Sequence, residues 1–290
     1  MAGNGRQVWL TWDGGEIYFR GDHPENTGNF VSGDGIEGWD SSPDAKVSMT
    51  EMQTGDGAHA IAESDVLYSA RTVTINIHGH GVDRADVVSL MRQVNAACHH
   101  LVRLRIVDAD DDTYCYGYVQ PGFEAEWDEV IHTGDITVVC PDPRRLSTEA
   151  KRIQLMAPTA VSGGLFYGEN GEGLEYDLNY GASPSTLQNV GTLINNGNSP
   201  AYPVITVNGP IQGGFRIDWN GGSVAYSGAV SGVPLTLDSL TRTASIAELD
   251  QSRLLTSRGF PIVPAGGAIS VNFQGVGTGW CDVEWHDTYI

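Results

Sequence analysis

The sequence predicts a mainly β protein in two parts, an α+β region over residues 1–152 and an all-β sandwich or jelly roll over residues 153–290. Short runs of apolar–polar alternation recur along most of the chain, each stopped by Gly, Pro, Asn or Asp, and period-two alternation marks a half-buried strand. Only one segment, near residues 83–98, carries apolar residues at helical spacing. The 37 glycines come with no G-X-Y repeat and no low-complexity tract, so they read as turn residues rather than collagen or linker.

In the first region, Val8 to Trp12 and Glu16 to Arg20 flank Asp13-Gly14-Gly15, a hairpin signal. From Gly21 to about Ala58 the chain is rich in Gly, Asp, Ser and Pro. It reads as a long surface loop or loop pair, and loops of that length are often functional or mobile. Arg71 to His80 alternates, with Val73, Ile75 and Ile77 on one face and Thr72, Thr74, Asn76, His78 and His80 on the other. A helix follows, with Asp83 as N-cap and Asp86 three residues on in a variant capping box. Its stripe is Val87, Leu90, Met91, Val94, Ala97 and Cys98, and His99-His100 sit near its carboxyl end. Val102, Leu104 and Ile106 alternate with Arg103 and Arg105. After an acidic tip at Asp108 to Asp112, Tyr114, Tyr116 and Tyr118 alternate with Cys115, Gly117 and Val119, which completes a hairpin. A last strand, Asp135 to Cys140, ends at Pro141 and Pro143.

Beyond Ile153 the only helical signal is a turn near Ile246 to Leu255. In INNGNSPAYPVITVNGPI, Asn196-Gly197 turns the chain, Pro200 and Pro203 hold it extended, and Val204 to Asn208 alternates before Gly209-Pro210 stops the run. The pattern returns in Phe215, Ile217 and Trp219, then in Leu235 and Leu237, then in Ile269, Val271 and Phe273, and last in Cys281, Val283 and Trp285. Many short strands between Gly, Pro and Asn turns make a sandwich.

Composition bounds the function. Hydrophobic residues at 40% supply a packed core, and a formal net charge of −20 repels phosphate backbones and anionic membranes. The amino terminus shows no apolar stretch of signal-peptide length, and no segment approaches the ~20 apolar residues of a membrane span. Cys98, Cys115, Cys140 and Cys281 show no CxxC spacing and fall on buried faces, so they read as reduced thiols acting as small hydrophobes.

Each chemical constellation has a plainer reading beside it. His78 and His80 project from one strand face, as zinc or iron ligands do, but Asp83 and Arg84 stand where a cupin-like site wants a Glu. The run Asp108 to Asp112 is acidic like a calcium loop, but its sixth position is Thr113, where an EF-hand needs Gly. GENGEG at 168–173 neither follows a strand nor opens a helix, which argues against a phosphate cradle. Trp219, Trp280, Trp285 and Tyr289 suit a sugar platform, although Trp219 and Trp285 alternate with the core set. There is no G-x-S-x-G, Walker or dinucleotide motif. No catalytic, cofactor or metal residue is assigned, and the chain is read as not an enzyme.

SGGLFYGENGEGLEYDLNYG, VGTLINNGNSPAYPVITVNGPI, SGVPLTLDSLTRTASI, SRGFPIVPAGGAISVNF and the closing CDVEWHDTYI resemble, in order and spacing, the distal tail (Dit) proteins of long-tailed bacteriophages, above all the actinophage minor tail proteins. The resemblance covers nearly the whole chain and is weakest at Gly21 to Ala58. It implies a tail-tube-like amino-terminal domain, a β-sandwich or split barrel with one helix, followed by a galectin-like β-sandwich of jelly-roll type. It also implies a structural virion protein at the tail tip, made in the host cytoplasm. The protein would form a homohexameric ring that meets the tail tube protein, the tape measure protein and the hub and receptor-binding proteins of the tip. DNA would be passing cargo only. Two other readings stay open, a carbohydrate-binding sandwich that contacts host glycans directly and a glycan hydrolase with unrecognised carboxylates.

Overall fold

The computed structural model describes residues 5–21, 27–62, 66–124, 130–157 and 189–290. The first quoted stretch of the family resemblance, GENGEG included, lies wholly outside them. The chain divides into two compact units, Met1–Glu149 with Tyr289–Ile290, and Ala150–Thr288.

The first unit is built from β1 (Gln7–Trp12), β2 (Gly15–Phe19), β3 (Gly28–Glu37), β4 (Arg71–His80), α1 (Arg84–Ala96), β5 (Val102–Asp108), β6 (Asp111–Phe123), β7 (Ile131–Cys140) and β8 (Arg145–Ser147). The main sheet runs β2-β1-β5-β6-β7-β4-β3, and β8 adds to β6. Its ends meet. Arg20, just past β2, forms a parallel bridge with Phe30 of β3, Arg20 N–H donating to the Asn29 carbonyl at 3.1 Å and Val31 N–H to the Arg20 carbonyl at 2.8 Å. The sheet therefore curls into a barrel sealed by a short seam. Val8, Leu10, Val73, Ile75, Leu104, Ile106, Ile136 and Val138 fill it, each at most 1% exposed.

Asp83 caps α1 as expected. Its backbone is extended and its carboxylate accepts from Asp86 N–H at 3.0 Å. The Asp86 carboxylate accepts in return from Val82 N–H at 3.1 Å, one residue earlier than an ideal capping box. Val87, Val94 and Ala97 are buried, while Leu90, Met91 and Cys98 are half-buried. His99 and His100 lie beyond the last helical turn, with His99 taking the left-handed conformation at φ 67°.

The expected loop from Gly21 to Ala58 hides a strand. β3 pairs with β4; nearby Trp39 joins the barrel core, while Phe30 is fully buried on the opposite face of the sheet, against His78. Between Val31 and Ile36 the register slips, so Ser32 to Gly35 bulge out opposite a single residue of β4. That bulge breaks the period-two pattern that reveals other strands.

Arg71 opens β4 and is 1% exposed. Its Nη1 donates to the carbonyls of Gly38, Trp39 and Ser41 at 2.7, 3.0 and 2.8 Å, and its Nε to that of Pro143 at 2.8 Å. Burial lowers its pKa, with the neighbouring Arg145 adding to the effect.

The second unit comprises β9 (Lys151–Met156), β10 (Val190–Ile194), β11 (Val204–Asn208), β12 (Ile211–Trp219), β13 (Gly222–Tyr226), β14 (Leu235–Asp238), β15 (Thr243–Ile246), β16 (Leu249–Asp250), β17 (Leu255–Arg258), β18 (Ala268–Gly277) and β19 (Trp280–Trp285). One sheet runs β10-β18-β12-β13-β17 and the other β16-β15-β14-β11-β19-β9. Leu193, Ile217, Val224, Val271 and Phe273 of the first share a core with Ile205, Val207, Leu235, Leu237, Cys281 and Val283 of the second. The helical signal near Ile246 to Leu255 shrinks to one 3-10 turn, Ser252–Leu254, between strands. β12 bulges at Gly213 and Gly214, φ 71° and 92°, where a Cβ on Gly214 would sit 2.1 Å from the Tyr226 carbonyl oxygen, so only glycine fits.

The division falls three residues before the sequence-based boundary. Lys151 and Arg152 belong to β9, which pairs along its length with β19, and this backbone ladder places them in the second unit. Asn195, 1% exposed, ties the first turn of that unit. Its Oδ1 accepts from Gly197 N–H at 3.0 Å and Thr288 N–H at 3.2 Å, while its Nδ2 donates to the carbonyls of Ser199 at 2.8 Å and Pro264 at 3.2 Å.

Replacing Arg71 with Met leaves four carbonyls without their donor, a type of change that costs roughly 3–5 kcal/mol. Urea unfolding of Arg71→Met should show a loss of that size; a loss below about 1 kcal/mol would refute this role.

Candidate functional site

The histidines were the first candidates. His78 points away from the barrel core and stacks on Phe30, with ring centroids 5.1 Å apart and planes 13° apart. Burial lowers its pKa, helped by His80, which lies on the same face. On β7, His132 pairs with Gly79 and takes the space a side chain there would need: a Cβ on Gly79 would sit 1.9 Å from His132 Nε2. His132 packs edge-on to Phe123 at 5.4 Å, is 6% exposed, and neither ring nitrogen has a hydrogen-bond partner in the protein. Burial pushes its pKa down to about 4, with His78 and Arg84 adding to the shift. Because β4 alternates, His132 lies on the opposite face from His78 and His80, and Asp83 is spent on the helix cap. Among the described residues no three His, Cys, Asp or Glu side chains converge as a metal site would require.

The acidic tip is matched by local arginines. Arg105 holds Asp112 through two bonds, at 2.8 and 2.6 Å, and Thr148 adds a third at 2.6 Å. The Arg105 bond chiefly lowers the Asp112 pKa. Arg6 Nε donates to Asp108 at 2.7 Å, and Arg145 lies 3.5 Å from Asp111. Such partly exposed pairs each contribute little to stability, but together they turn the carboxylates toward arginine rather than toward one another.

The four aromatic candidates separate. Trp285 is buried, its Nε1–H donating to the Ile194 carbonyl at 2.9 Å, and Trp219 packs on the core edge. Tyr289 groups with the first unit. Only Trp280 lies on the outer face of its sheet. There β9, β19 and β11 line up three rows: Arg152, Glu284 and Val204; Gln154, Asp282 and Thr206; Met156, Trp280 and Asn208. Asp282 accepts from Gln154 Nε2 at 2.9 Å, Asn208 Nδ2 at 2.9 Å and Trp280 Nε1 at 3.0 Å, while Arg152 Nε donates to Glu284 at 2.8 Å. A shallow depression of about 600 Å³ lies over the first two of these rows. Alternation in CDVEW already turned Asp282 and Glu284 outward, but β9 was not recognised in the sequence, so the row remained incomplete.

Two further surfaces belong to the first unit. Arg103, Arg105, Tyr114 and Tyr116 lie on the outer face of the barrel sheet, but Tyr114 is not open. It is 6% exposed, covered by Arg103 at 4.0 Å from its ring centroid and paired through its backbone with Leu146 of β8. Tyr116 and Tyr118 are open. The stretch from Asp40 to Ala70 is an irregular ribbon. Ala45 bridges Tyr68 and Glu51 bridges Ala58, and none of its described residues is buried. Met49 and Leu67 are each 63% exposed. A ribbon with no fully buried residue draws little stability from its own chain, and a covering partner would add to it.

No protein-family model and no curated protein matches the sequence. Solved structures do match. The chain aligns with the Dit protein of phage SPP1, described as a paradigm of the hub adsorption apparatus in phages infecting Gram-positive bacteria. The TM-score is 0.61 at 10% identity, over 98% of this chain and 99% of that chain. It also aligns with a chain of the phage P2 baseplate in its activated conformation with Ca, at TM-score 0.50 and 9% identity, over 96% and 97% of the two chains. The mainly β fold expected from the sequence is thus a fold shared with a phage Dit protein and a phage baseplate chain.

His132 sets a pH dependence. With a folded value of about 4 against an ordinary 6.5, the unfolded chain takes up the proton first as pH falls. The stability contribution is whole above about pH 6.5 and is lost between there and about pH 4, by roughly 3 kcal/mol. From pH 7 to 4.5, urea unfolding of the parent should lose roughly 2–3 kcal/mol more than His132→Gln. Parallel losses would exclude His132 as the sensor.

Proposed function

We propose that the chain is a distal tail protein of a long-tailed bacteriophage, a non-enzymatic structural component of the virion tail tip. It forms a homohexameric ring between the tail tube and the tip apparatus. The observation that carries this reading is the fold shared with the SPP1 Dit protein along 98% of the chain. The first unit closes the ring and the second faces the tip proteins. The ribbon at Asp40 to Ala70 supplies the contact between protomers, because it is long, exposes Met49, Met52 and Leu67, and has no fully buried residue among those described. The tube protein, the tape measure protein and the hub and receptor-binding proteins are the expected neighbours. A net charge of −20 suits a conduit that DNA passes without sticking. Among the described residues no helix is long and apolar enough to cross a membrane.

The outer face of β9, β19 and β11 favours a second reading, direct contact with a host glycan. An indole held by its own N–H beside a hydrogen-bonded set of amide, carboxylate and guanidinium groups offers both a stacking plane and hydroxyl partners. Glycan-array binding by the whole chain, abolished by Trp280→Ala, would establish that activity; an array with no bound glycan would remove it.

Native mass measurement should find the 31.1 kDa chain in a closed ring, alone or mixed with its tail-tube partner. A strict monomer under both conditions would overturn the proposal. Replacing residues 46–67 with Gly-Gly should abolish the ring yet change stability by no more than about 1 kcal/mol, since no described side chain of the segment is fully buried. An intact ring in that variant would remove the ribbon from the interface.

A further inference from the structure

Cys115 and Cys140 are 2% and 0% exposed, and their sulfurs lie 3.1 Å apart. That is ~1 Å longer than the ~2.05 Å of a disulfide. The pair stands in a fork. The register of β6 with β7 ends at Tyr118 and Val139, and beyond that point β6 pairs instead with β8 through Thr113 and Tyr114. Gly117 keeps the fork open, because a Cβ there would lie 2.9 Å from Cys140 Sγ.

The charge around the pair is unusual for a protein core. Arg71 stands opposite Cys140 in the β4–β7 register, and all four of its hydrogen bonds go to backbone carbonyls. Its Nη2 has no partner, and among the described residues no carboxylate forms an ion pair with it. Cys140 is its register partner, and the two thiols act on it electrostatically, as does the Asp40 carboxylate. The bond from Cys115 lowers the Cys140 pKa most, with Arg71 assisting, while Cys115 is pushed up and keeps its proton. Cys281 is the contrast: burial in the second unit pushes its pKa up strongly, and its environment favours a protonated, unreactive thiol.

We propose that Cys115 and Cys140 are a redox-active dithiol that peroxide converts to a disulfide, closing the fork between β6 and β7. The Cys140 thiolate attacks one peroxide oxygen; an S–O bond forms, the O–O bond breaks, and hydroxide leaves and takes up the proton Cys140 released. The Cys115 sulfur then attacks the sulfenic sulfur of Cys140. An S–S bond forms, the S–O bond breaks, and the departing oxygen leaves as water with the Cys115 proton. Two thiols and one peroxide yield one disulfide and two waters, the sulfurs supplying two electrons. A water-sized, neutral oxidant suits a pair reached only through brief local opening. The bond closes a loop between residues 25 apart, near the point where the chain leaves the first unit.

The test uses the folded full-length chain. It is treated with hydrogen peroxide, quenched, denatured, alkylated and weighed. Two of its four cysteines should resist alkylation, and proteolysis should release one cross-linked peptide pair holding Cys115 and Cys140. The oxidised chain should melt at least about 5 °C higher than the reduced chain. In Cys115→Ser the link should vanish and Cys140 should proceed to sulfinic acid. Four alkylatable thiols after peroxide, or a link involving Cys98 or Cys281 with the pair left reduced, would overturn the proposal. Because the parent carries both decisive readouts, misfolding of the variant would not rescue it.

Discussion

Backbone carbonyls that leave a sheet inside a protein need donors, and in the first unit one side chain supplies four of them. Arg71 gathers the carbonyls of Gly38, Trp39, Ser41 and Pro143, and so fixes three departures of the chain at one place: the exit from β3, the entry to β4 and the exit from β7. Burying a guanidinium without a carboxylate costs desolvation energy, which hydrogen bonds to four carbonyl dipoles offset only in this geometry. The exposed ribbon, Asp40 to Ala70, begins beside the Ser41 carbonyl that Arg71 holds and returns to Arg71 itself. A buried cation therefore anchors the root of a segment in which no described residue is buried.

The second unit meets the same constraint with a neutral group. Asn195 has two donors and an acceptor able to take two bonds, and all four are used, on Gly197, Ser199, Pro264 and Thr288. The crowding is severe. A Cβ on Gly197 would sit 1.9 Å from the Thr288 carbonyl oxygen, so glycine is required there for space. Asn196-Gly197 is thus more than a turn signal, since it lets two distant parts of the chain share one amide.

Arginines follow a common logic in the first unit. Arg6, Arg105 and Arg145 face Asp108, Asp112 and Asp111, while Arg103 lies over Tyr114 and Arg145 over Trp39. The scarce cations are largely spent within the unit, and the acidic excess that gives −20 is left for the surface. The barrel seam at Arg20 and Phe30 similarly consumes backbone groups that an open sheet would leave as edges. In the proposed ring, contact between protomers would then fall to the ribbon and to the sheet faces.

The sequence by itself determined the strands whose two faces differ, because alternation is written residue by residue: β4, the β5–β6 hairpin, β11, β18 and β19 were all legible, as was the Asp83 cap. It also turned Asp282 and Glu284 outward and Trp285 inward. β3 escaped because four bulged residues break its period, and β9 because its partner β19 lies some 130 residues further along the chain. What only the tertiary structure decided depends on such distant pairings. The meeting of Arg152 and Gln154 with Glu284 and Asp282 is one case, the closing of the barrel at Arg20 another. The same holds for the placing of Cys115 beside Cys140, whose register partner Arg71 has no ion-pair partner among the described residues. Local patterning fixes which way a side chain points from its own strand, whereas register across the sheets fixes what it meets, and that is settled by the packing of the whole unit.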